Sequence, residues 1–189
     1  MLVKEMFYNV SILITFFLIL VLNASASEKD KIIKNLKNTK NFDFKFEQNI
    51  NGKIENGQCT IEYPKKIFCE YARSNNKTLI SNGKSLVIKT RTSYYRYPLD
   101  KTPLNLILDK NFLINKISNT KDIIINEGLI NYKIFEKDNE ISIFFDKKTF
   151  DLIGWQNIDI YQNFNITFLS AIRKNRVLPK NLFILPPQN

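Results

Sequence analysis

The sequence contains no histidine among its 189 residues. This absence excludes Ser-His-Asp and Cys-His catalysis, zinc sites of the HExxH type, and histidine-based switching near neutral pH. Only five glycines are present, and none belongs to a glycine-rich phosphate loop or a G-x-S-x-G nucleophile turn. The carboxylates are scattered, with no metal-ligand cluster. We therefore predict no catalytic residue, no metal site and no cofactor, and we do not expect an enzyme.

The sequence has only two cysteines, Cys59 and Cys69, and they form no C-x-x-C motif. An isolated pair in an oxidising compartment usually forms a disulfide. If Tyr63 pairs with Ile67 in the predicted hairpin, the two cysteines are diagonal neighbours, whereas a bulge near Pro64 brings them together. We predict a Cys59–Cys69 disulfide, which would stabilise the fold by roughly 3 kcal/mol in the loop-entropy model.

Acidic residues are fewer than basic ones, 18 against 28, which gives a formal net charge of +10. A basic surface can attract nucleic acid, anionic lipid or an acidic protein. The lysines are scattered, however, and lysine, isoleucine and asparagine are all abundant, which favours a compositional origin of the charge. The export signal described next also disfavours nucleic acid as a partner.

Residues 1–26 resemble a secretory signal peptide. Lys4 supplies a positive charge, the apolar run VSILITFFLILVL follows, and Ala24-x-Ala26 fits the small-residue rule for cleavage. A membrane-spanning helix needs about 20 apolar residues, and this run is shorter, so an uncleaved anchor is the less favoured alternative. We predict cleavage after Ala26, an exported mature chain, and a single domain over residues 27–189.

Aromatic residues are abundant, with 15 phenylalanines and 8 tyrosines, which favours strands. The clearest strand is predicted over 42–50, where Phe42, Phe44 and Phe46 share one face. Each enclosed phenylalanine buries about 150–250 Å². This apolar face is either an ordinary sheet core or the wall of a ligand cavity, and the spacing alone favours the core.

The stretch from Gly57 to Leu86 is predicted to form four short antiparallel strands. Asn82-Gly83 is predicted to be a two-residue hairpin turn in which both residues have positive φ. Later apolar runs bring the total to ten or eleven strands, predicted over 94–97, 123–126, 129–135, 140–146, 151–161, 165–173 and 182–187.

Three helical segments are predicted, one before the strands and two between them. The first is predicted over 27–41, with a capping box at Ser27-x-x-Asp30 and an apolar stripe. The second is predicted over 103–109, with Thr102 as N-cap and Pro103 as the first helical residue, and a further short helix over 112–117. The short amphipathic helix at 103–109 would either plug one end of the sheet or act as a movable lid.

Several motifs occur in an order similar to that of one protein family. They are F-x-F-x-Q at 44–48, LISNGKSL at 79–86, YPLDKTPL at 97–104, L-x-x-W at 152–155 and F-x-x-P-P at 183–187. Together they resemble the LolA family of periplasmic outer-membrane lipoprotein carriers, and its alphaproteobacterial form in particular. The resemblance extends over nearly all of residues 28–187.

The resemblance implies a mainly β fold with some α, an unclosed antiparallel β-barrel whose helices form a lid over an apolar cavity. It also implies a monomeric, non-enzymatic periplasmic carrier. Such a carrier takes lipoproteins from an inner-membrane lipoprotein-releasing ABC transporter, shields their acyl chains, and passes them to an outer-membrane acceptor where one exists. The candidate cavity-lining residues are Phe42, Phe44, Phe46, Ile61, Tyr63, Ile67, Tyr71 and Trp155, and the candidate lid residues are Ile32, Leu36, Leu104, Ile107 and Leu108.

One position departs from the family pattern. Members usually carry arginine immediately before the turn proline, where it helps to hold the lid closed, whereas this chain has Tyr63 before Pro64. A tyrosine hydroxyl can donate one hydrogen bond but cannot form the arginine fork. Three alternatives stay open at this stage: a LolA-like module that senses lipid or protein, a structural protein tethered by an uncleaved N-terminus, and a lipid-modifying enzyme.

Overall fold

In the part of the chain that the structure describes, alternating apolar residues form an antiparallel sheet of 11 strands. The computed structural model describes residues 26–72, 75–121, 123–126, 128–136, 139–158 and 163–188. The predicted signal peptide therefore lies outside the described residues, apart from Ala26. The strands are β1 Asn41–Ile50, β2 Lys53–Glu62, β3 Lys66–Tyr71, β4 Thr78–Asn82, β5 Ser85–Lys89, β6 Tyr94–Pro98, β7 Ile123–Ile125, β8 Leu129–Glu136, β9 Asn139–Asp146, β10 Leu152–Ile158 and β11 Phe164–Lys174.

The strand order is β6-β5-β4-β3-β2-β1-β11-β10-β9-β8-β7, with β6 and β7 at the two edges. The first and last strands of the domain meet in the centre, because β1 pairs with β11 from Phe42↔Lys174 to Ile50↔Asn165. The sheet curves but does not close, and one face is concave. This confirms the predicted fold class of an unclosed antiparallel half-barrel with helices.

Among the described residues, three α-helices accompany the sheet: α1 Glu28–Asn38, α2 Leu104–Leu108 and α3 Lys110–Asn119. The predicted capping box of α1 is confirmed, since the Ser27 hydroxyl accepts from the Asp30 amide at 3.2 Å and the Asp30 carboxylate accepts from the Ser27 amide at 3.2 Å. The Thr102 cap is wrong. The Thr102 hydroxyl instead donates to the Leu99 carbonyl at 2.8 Å, and no side chain caps α2.

Helices α1 and α3 run antiparallel and are joined at both ends by lysines. The Lys29 ammonium, in the first turn of α1, donates to the Thr120 carbonyl at 3.0 Å. Reciprocally, the Lys110 ammonium at the start of α3 donates to the Thr39 carbonyl at 2.9 Å. Each lysine satisfies a carbonyl that the end of the other helix leaves unpaired. None of the helices in the described part of the chain is long and apolar enough to cross a membrane.

The β4–β5 connection is shifted by one residue from the predicted Asn82-Gly83 turn. Strand β4 ends at Asn82 and β5 begins at Ser85, so Gly83 and Lys84 form the connection. Gly83 has a φ of +95°, but Asn82 keeps negative φ. The Asn82 carboxamide oxygen accepts from the amides of Lys84 and Ser85, both at 3.0 Å. The asparagine side chain thus replaces a main-chain turn bond, as in an Asx turn.

The last strand predicted, over 182–187, is wrong. Residues 175–188 form turns and irregular extended chain. Prolines at 179, 186 and 187 lack the amide hydrogen that a strand ladder requires. This tail lies over the convex face: the Lys66 ammonium stands 5.6 Å from the Phe183 ring, and the Lys89 ammonium donates to the Pro187 carbonyl at 3.2 Å.

Candidate ligand-binding cavity

A cavity of about 210 Å³ lies between the concave face of the sheet and α2. One wall comes from β1 to β5 and the other from β9 to β11. Residues 102–107 close it on the third side, and we call them the cover segment. The lining residues are Phe44, Phe46, Gln48, Cys59, Ile67, Cys69, Tyr71, Leu79, Leu86, Thr102, Pro103, Leu104, Ile107, Ile141, Trp155, Asn157, Asn165 and Thr167.

Aromatic rings on β1 form the centre of the apolar wall. The Phe42 and Phe44 rings stack at 5.3 Å, and the Phe46 ring meets the Tyr71 ring edge-on at 4.9 Å. Gly57 lies opposite Phe46 on β2. A Cβ at Gly57 would stand 2.8 Å from the Phe46 ring and 2.1 Å from the Glu70 carbonyl oxygen. Glycine at this position therefore gives the Phe46 ring room to lie against β2.

Cys59 and Cys69 form a disulfide within the wall of the cavity, with an S–S distance of 1.98 Å. They lie directly opposite each other on β2 and β3, and Ile61 pairs with Ile67. The alternative pairing of Tyr63 with Ile67 is therefore wrong. The reason is the position of the turn: Glu62 pairs with Lys66, so residues 63–65 form the turn, whereas a Tyr63–Ile67 pair would place residues 64–66 there.

The lower rim of the cavity, beyond Tyr71, carries a charged cluster. The Lys77 ammonium lies 2.6 Å from the Glu55 carboxylate and 4.0 Å from the Tyr71 ring centroid, and Lys53 pairs with the same carboxylate at 3.0 Å. Burial by itself raises the pKa of Glu55, but hydrogen bonds and charge from Lys77 and Lys53 outweigh it and lower the pKa below its usual 4.5. Burial, followed by the charge of Glu55, raises the pKa of Tyr71. Glu55 is therefore ionised and Tyr71 neutral at physiological pH.

The cavity-lining candidates fall into two groups. Five of them line the cavity: Phe44, Phe46, Ile67, Tyr71 and Trp155. The other three lie at the opposite end of the concave face, beneath α1 and α3. Phe42 and Tyr63 border a small void of about 20 Å³, and Ile61 is fully buried in the core.

The lid candidates divide in the same way. Leu104 and Ile107 line the cavity from the cover segment. Leu108, on the same short helix, is 0% exposed and belongs to the packed core, as does Ile32 on α1. Leu36 borders the small void beneath α1. The structure thus places α2 over the cavity, whereas α1 and α3 fill the other end of the half-barrel.

The Tyr63 hydroxyl, where the family usually has arginine, is buried and has no hydrogen-bond partner in the described part of the chain. Its ring lies 5.5 Å from the Lys110 ammonium. Lys65, two residues further along the same turn, contacts the residues that directly follow the cover segment. The Lys65 amide donates to the Leu108 carbonyl at 2.9 Å, and the Lys65 ammonium lies 3.3 Å from the Asp109 carboxylate. The β2–β3 turn therefore holds α2 through Lys65, on the other side of the proline.

Sequence reasoning missed the polar part of the cavity. Gln48, Asn157, Asn165 and Thr167 all line it. Strand alternation carries the signal that could have found them, because Gln48 follows Phe46 and Asn157 follows Trp155 on the same face. Polar residues on a predicted apolar face mark a place where that face meets something other than packed side chains.

The fold and the cavity define a class of protein, an unclosed β-barrel with an apolar interior that a short helical segment covers. The chain belongs to the LolA family, described as outer membrane lipoprotein carrier protein LolA, which matches residues 29–185. No curated protein matches the chain.

Solved structures share the fold at low sequence identity. An uncharacterised conserved protein of Thermus thermophilus is 8% identical with a TM-score of 0.51, covering 86% of this chain and 93% of that one. MucB is 7% identical with a TM-score of 0.52, covering 86% of this chain and 64% of MucB. A LolA superfamily protein of Nitrosomonas europaea is 9% identical with a TM-score of 0.45, covering 85% and 99%.

Proposed function

We propose that this protein is a periplasmic carrier that binds the acyl chains of lipoproteins in its cavity and moves them from the inner to the outer membrane. The observation that carries the proposal is the apolar cavity itself, enclosed by Phe44, Phe46, Trp155 and the cover segment in a member of the LolA family. The disulfide in the cavity wall fits an oxidising compartment.

The physical requirement of such transport agrees with this lining. Each CH₂ group exposed to water costs about 0.8 kcal/mol, so a multiply acylated protein cannot cross the periplasm unprotected. Phenylalanine, leucine and isoleucine side chains attract acyl chains without directional bonds. Binding of this kind accepts chains of differing length and allows release without a nucleotide.

Loading requires the cover segment to move. The cavity, at about 210 Å³, is smaller than the roughly 300–1,000 Å³ of typical small-molecule sites, and a lipoprotein carries more than one acyl chain. In the structure the cover segment lies over this cavity. Lys65 holds the two residues that directly follow the cover segment, through the hydrogen bond to the Leu108 carbonyl and the ion pair with Asp109. Exposed ion pairs contribute only about 0–1 kcal/mol, so this attachment is weak enough for the cargo to displace.

In this proposal the partners are an inner-membrane lipoprotein-releasing ABC transporter as donor, and an outer-membrane acceptor where one exists. The protein acts as a monomer without catalytic residues or cofactor, and nucleic acid is not among its partners. The signal peptide over residues 1–26 directs export.

Photo-crosslinking tests the proposal. A benzoylphenylalanine at Phe46, inside the cavity, should crosslink to lipoprotein when the full chain is expressed with its signal peptide. The matched control carries the same group at Thr60, on the convex face of β2, and should give no such crosslink. Equal crosslinking at both positions, or none at Phe46 together with a purified protein free of acyl chains, would contradict the carrier role.

A LolA-like module that senses lipid or protein is the second candidate. MucB, which was also solved in complex with MucA, has a similar fold with a TM-score of 0.52. This chain covers only 64% of MucB. A transfer assay separates the two functions. A carrier loaded with lipoprotein delivers it to outer-membrane vesicles, whereas a sensing module retains its ligand and delivers none.

A further inference from the structure

Four polar side chains lie together at one end of the cavity, on the central strands. Gln48 of β1 lies opposite Thr167 of β11, and Asn165 of β11 lies opposite Asn157 of β10. All four line the cavity, and all point to its concave side. Trp155 lies opposite Thr167 and lines the same cavity. We call these four residues the polar cluster.

One member of the polar cluster is buried without a hydrogen bond in the described part of the chain. Thr167 is 3% exposed and its hydroxyl has no partner. Asn157 is 8% exposed and lines the same end of the cavity. A buried polar group that stays unpaired costs free energy, and proteins rarely retain one without a use. Both side chains face the cavity, where a ligand would meet them.

The other two members of the polar cluster, Gln48 and Asn165, are hydrogen-bonded to each other and leave one further donor for a ligand. The Gln48 carboxamide donates to the Asn165 carboxamide oxygen at 3.0 Å. The Tyr71 hydroxyl lies 3.4 Å from the Gln48 oxygen and fixes the orientation of Gln48. Because the Asn165 oxygen accepts from Gln48, the NH₂ group is the part of this lining side chain that is left for a ligand. Together with the Asn157 NH₂ group and the Thr167 hydroxyl, this end of an apolar cavity offers three hydrogen-bond donors.

We propose that the polar cluster binds the ester and amide carbonyl groups that link acyl chains to a lipoprotein. This inference rests on the proposed carrier function and adds an orientation. The carbonyl groups accept from Asn157, Asn165 and Thr167, and the methyl ends of the chains extend towards Phe44 and Ile107. A carbonyl carried into an apolar site needs a donor to replace water, and in this cavity these three donors supply it.

The test compares three probes in one cavity. The probes are a synthetic lipopeptide with a tripalmitoylated cysteine, free palmitate, and diphenylhexatriene, a hydrocarbon dye without hydrogen-bonding groups. Trp155, the single tryptophan of the chain, reports binding by its fluorescence. The variant is Asn157→Leu/Thr167→Val, which removes two donors. The matched control is Asn56→Leu/Thr60→Val on the convex face of β2.

The variant should bind lipopeptide about tenfold more weakly or worse, since each net hydrogen bond contributes about a factor of five. Its affinity for diphenylhexatriene should stay within about twofold of the wild type or rise, and the control should change neither. An equal loss of affinity for lipopeptide and diphenylhexatriene, or no loss of affinity for lipopeptide, overturns the subsite. Loss for palmitate alone assigns the cluster to free fatty acids and overturns the ester and amide assignment.

The failure of the carrier function gives a different result. A wild-type protein that binds diphenylhexatriene but no lipopeptide contradicts the carrier, whatever the variant does. If the double variant does not fold, Thr167→Val alone carries the test with an expected loss of about fivefold. The orientation of the acyl chains is tested with lipopeptides that carry bromine atoms at one end of the chains. Bromine next to the carbonyl should quench the fluorescence of Trp155 more than bromine at the methyl end. The reverse order overturns the proposed orientation.

Discussion

The two ends of the concave face differ although their sequences look alike. Phe42 and Phe46 lie on the same face of β1, 3% and 5% exposed. Phe42 belongs to what we call the helix end, where α1 and α3 pack on the sheet and leave a void of only about 20 Å³. Phe46 belongs to the cavity end, beside about 210 Å³ of open space. Both residues are phenylalanines at equivalent positions of the strand repeat. The two ends therefore differ because of the helices that cover them.

The covers differ in size and attachment. Helices α1 and α3 have 11 and 10 residues and insert fully buried side chains such as Ile32, Leu113 and Ile117. Helix α2 has five residues, and it presents only Leu104 and Ile107 to the cavity. A sheet face becomes a core where long amphipathic helices fill it. The sheet face becomes the wall of a cavity where a short helix crosses it without filling the space beneath.

The largest expected effect separates the two ends directly. Phe42→Ala should lower the free energy of unfolding by about 3–5 kcal/mol, because it opens a hole in a packed core. Phe46→Ala enlarges an existing cavity instead, so it should cost about 2 kcal/mol or less but weaken acyl-chain binding. Urea unfolding and lipopeptide titration of both variants measure this. Equal destabilisation by the two changes would remove the distinction between core and cavity.

The second prediction concerns the wall of the cavity end, which lacks packing on one side. Removing the disulfide with Cys59→Ala/Cys69→Ala should cost roughly 3 kcal/mol, since the ring restricts the unfolded chain. The linked cysteines are 10 residues apart in sequence. Urea unfolding of the wild type with and without reductant provides the control. A loss well below 1 kcal/mol would mean that the bond contributes little to the stability of this wall.

The third prediction tests the charged rim of the cavity end. Glu55→Gln should cost about 1–3 kcal/mol at pH 7, because it breaks charge-assisted hydrogen bonds to Lys77 and Lys53. The lowered pKa of Glu55 fixes the sign of the pH dependence. Stabilisation by Glu55 is present above its unfolded pKa and is lost as pH falls through its folded pKa. The difference between wild type and variant should therefore shrink below about pH 4.5.

Unfolding measured from pH 7 to pH 3 checks this prediction. Glu47→Gln is the matched control, since Glu47 is exposed on the opposite face of β1. A difference that stays constant over the whole pH range would exclude Glu55 as the titrating group.

The smallest expected effect concerns Lys65, which links the β2–β3 turn to Asp109 at the end of α2. Lys65→Met should lower stability by about 0–1 kcal/mol, as expected of a partly exposed ion pair, but should speed lipopeptide binding because the cover opens more often. A double-mutant cycle with Asp109→Asn isolates the pair, and asparagine can still cap α3 as Asp109 does through the Phe112 amide at 3.1 Å. Unchanged stopped-flow association rates would show that Lys65 does not restrain the cover.

The alternation of apolar and polar residues predicted the sheet well, because a strand repeats every two residues and the pattern is local. The division between core and cavity could not be predicted in this way. It depends on which helix lies above Phe42 and which above Phe46, and these contacts are distant in sequence. For the same reason Leu104 and Leu108, neighbours on one predicted stripe, have different surroundings.

The sequence-based errors also have local physical causes. The β2–β3 register was wrong by two residues because the turn includes Tyr63, which the alternation had assigned to a strand. The Asn82-Gly83 turn was wrong because the asparagine side chain bonds to the amides of Lys84 and Ser85. The final strand was wrong because its prolines lack the amide hydrogens that strand pairing requires, although its other residues are apolar.

The unpaired edges β6 and β7 determine how the interior can respond to its contents. A closed barrel has a circumference fixed by strand number and shear. In the described part of this chain the two edge strands stand at opposite ends of the strand order and do not join. The sheet can therefore uncurl or tighten without breaking any hydrogen bond between strands. If the proposed carrier function holds, we expect cargo of different bulk to be accommodated by bending of the sheet, so that the elastic cost rises gradually with cargo size.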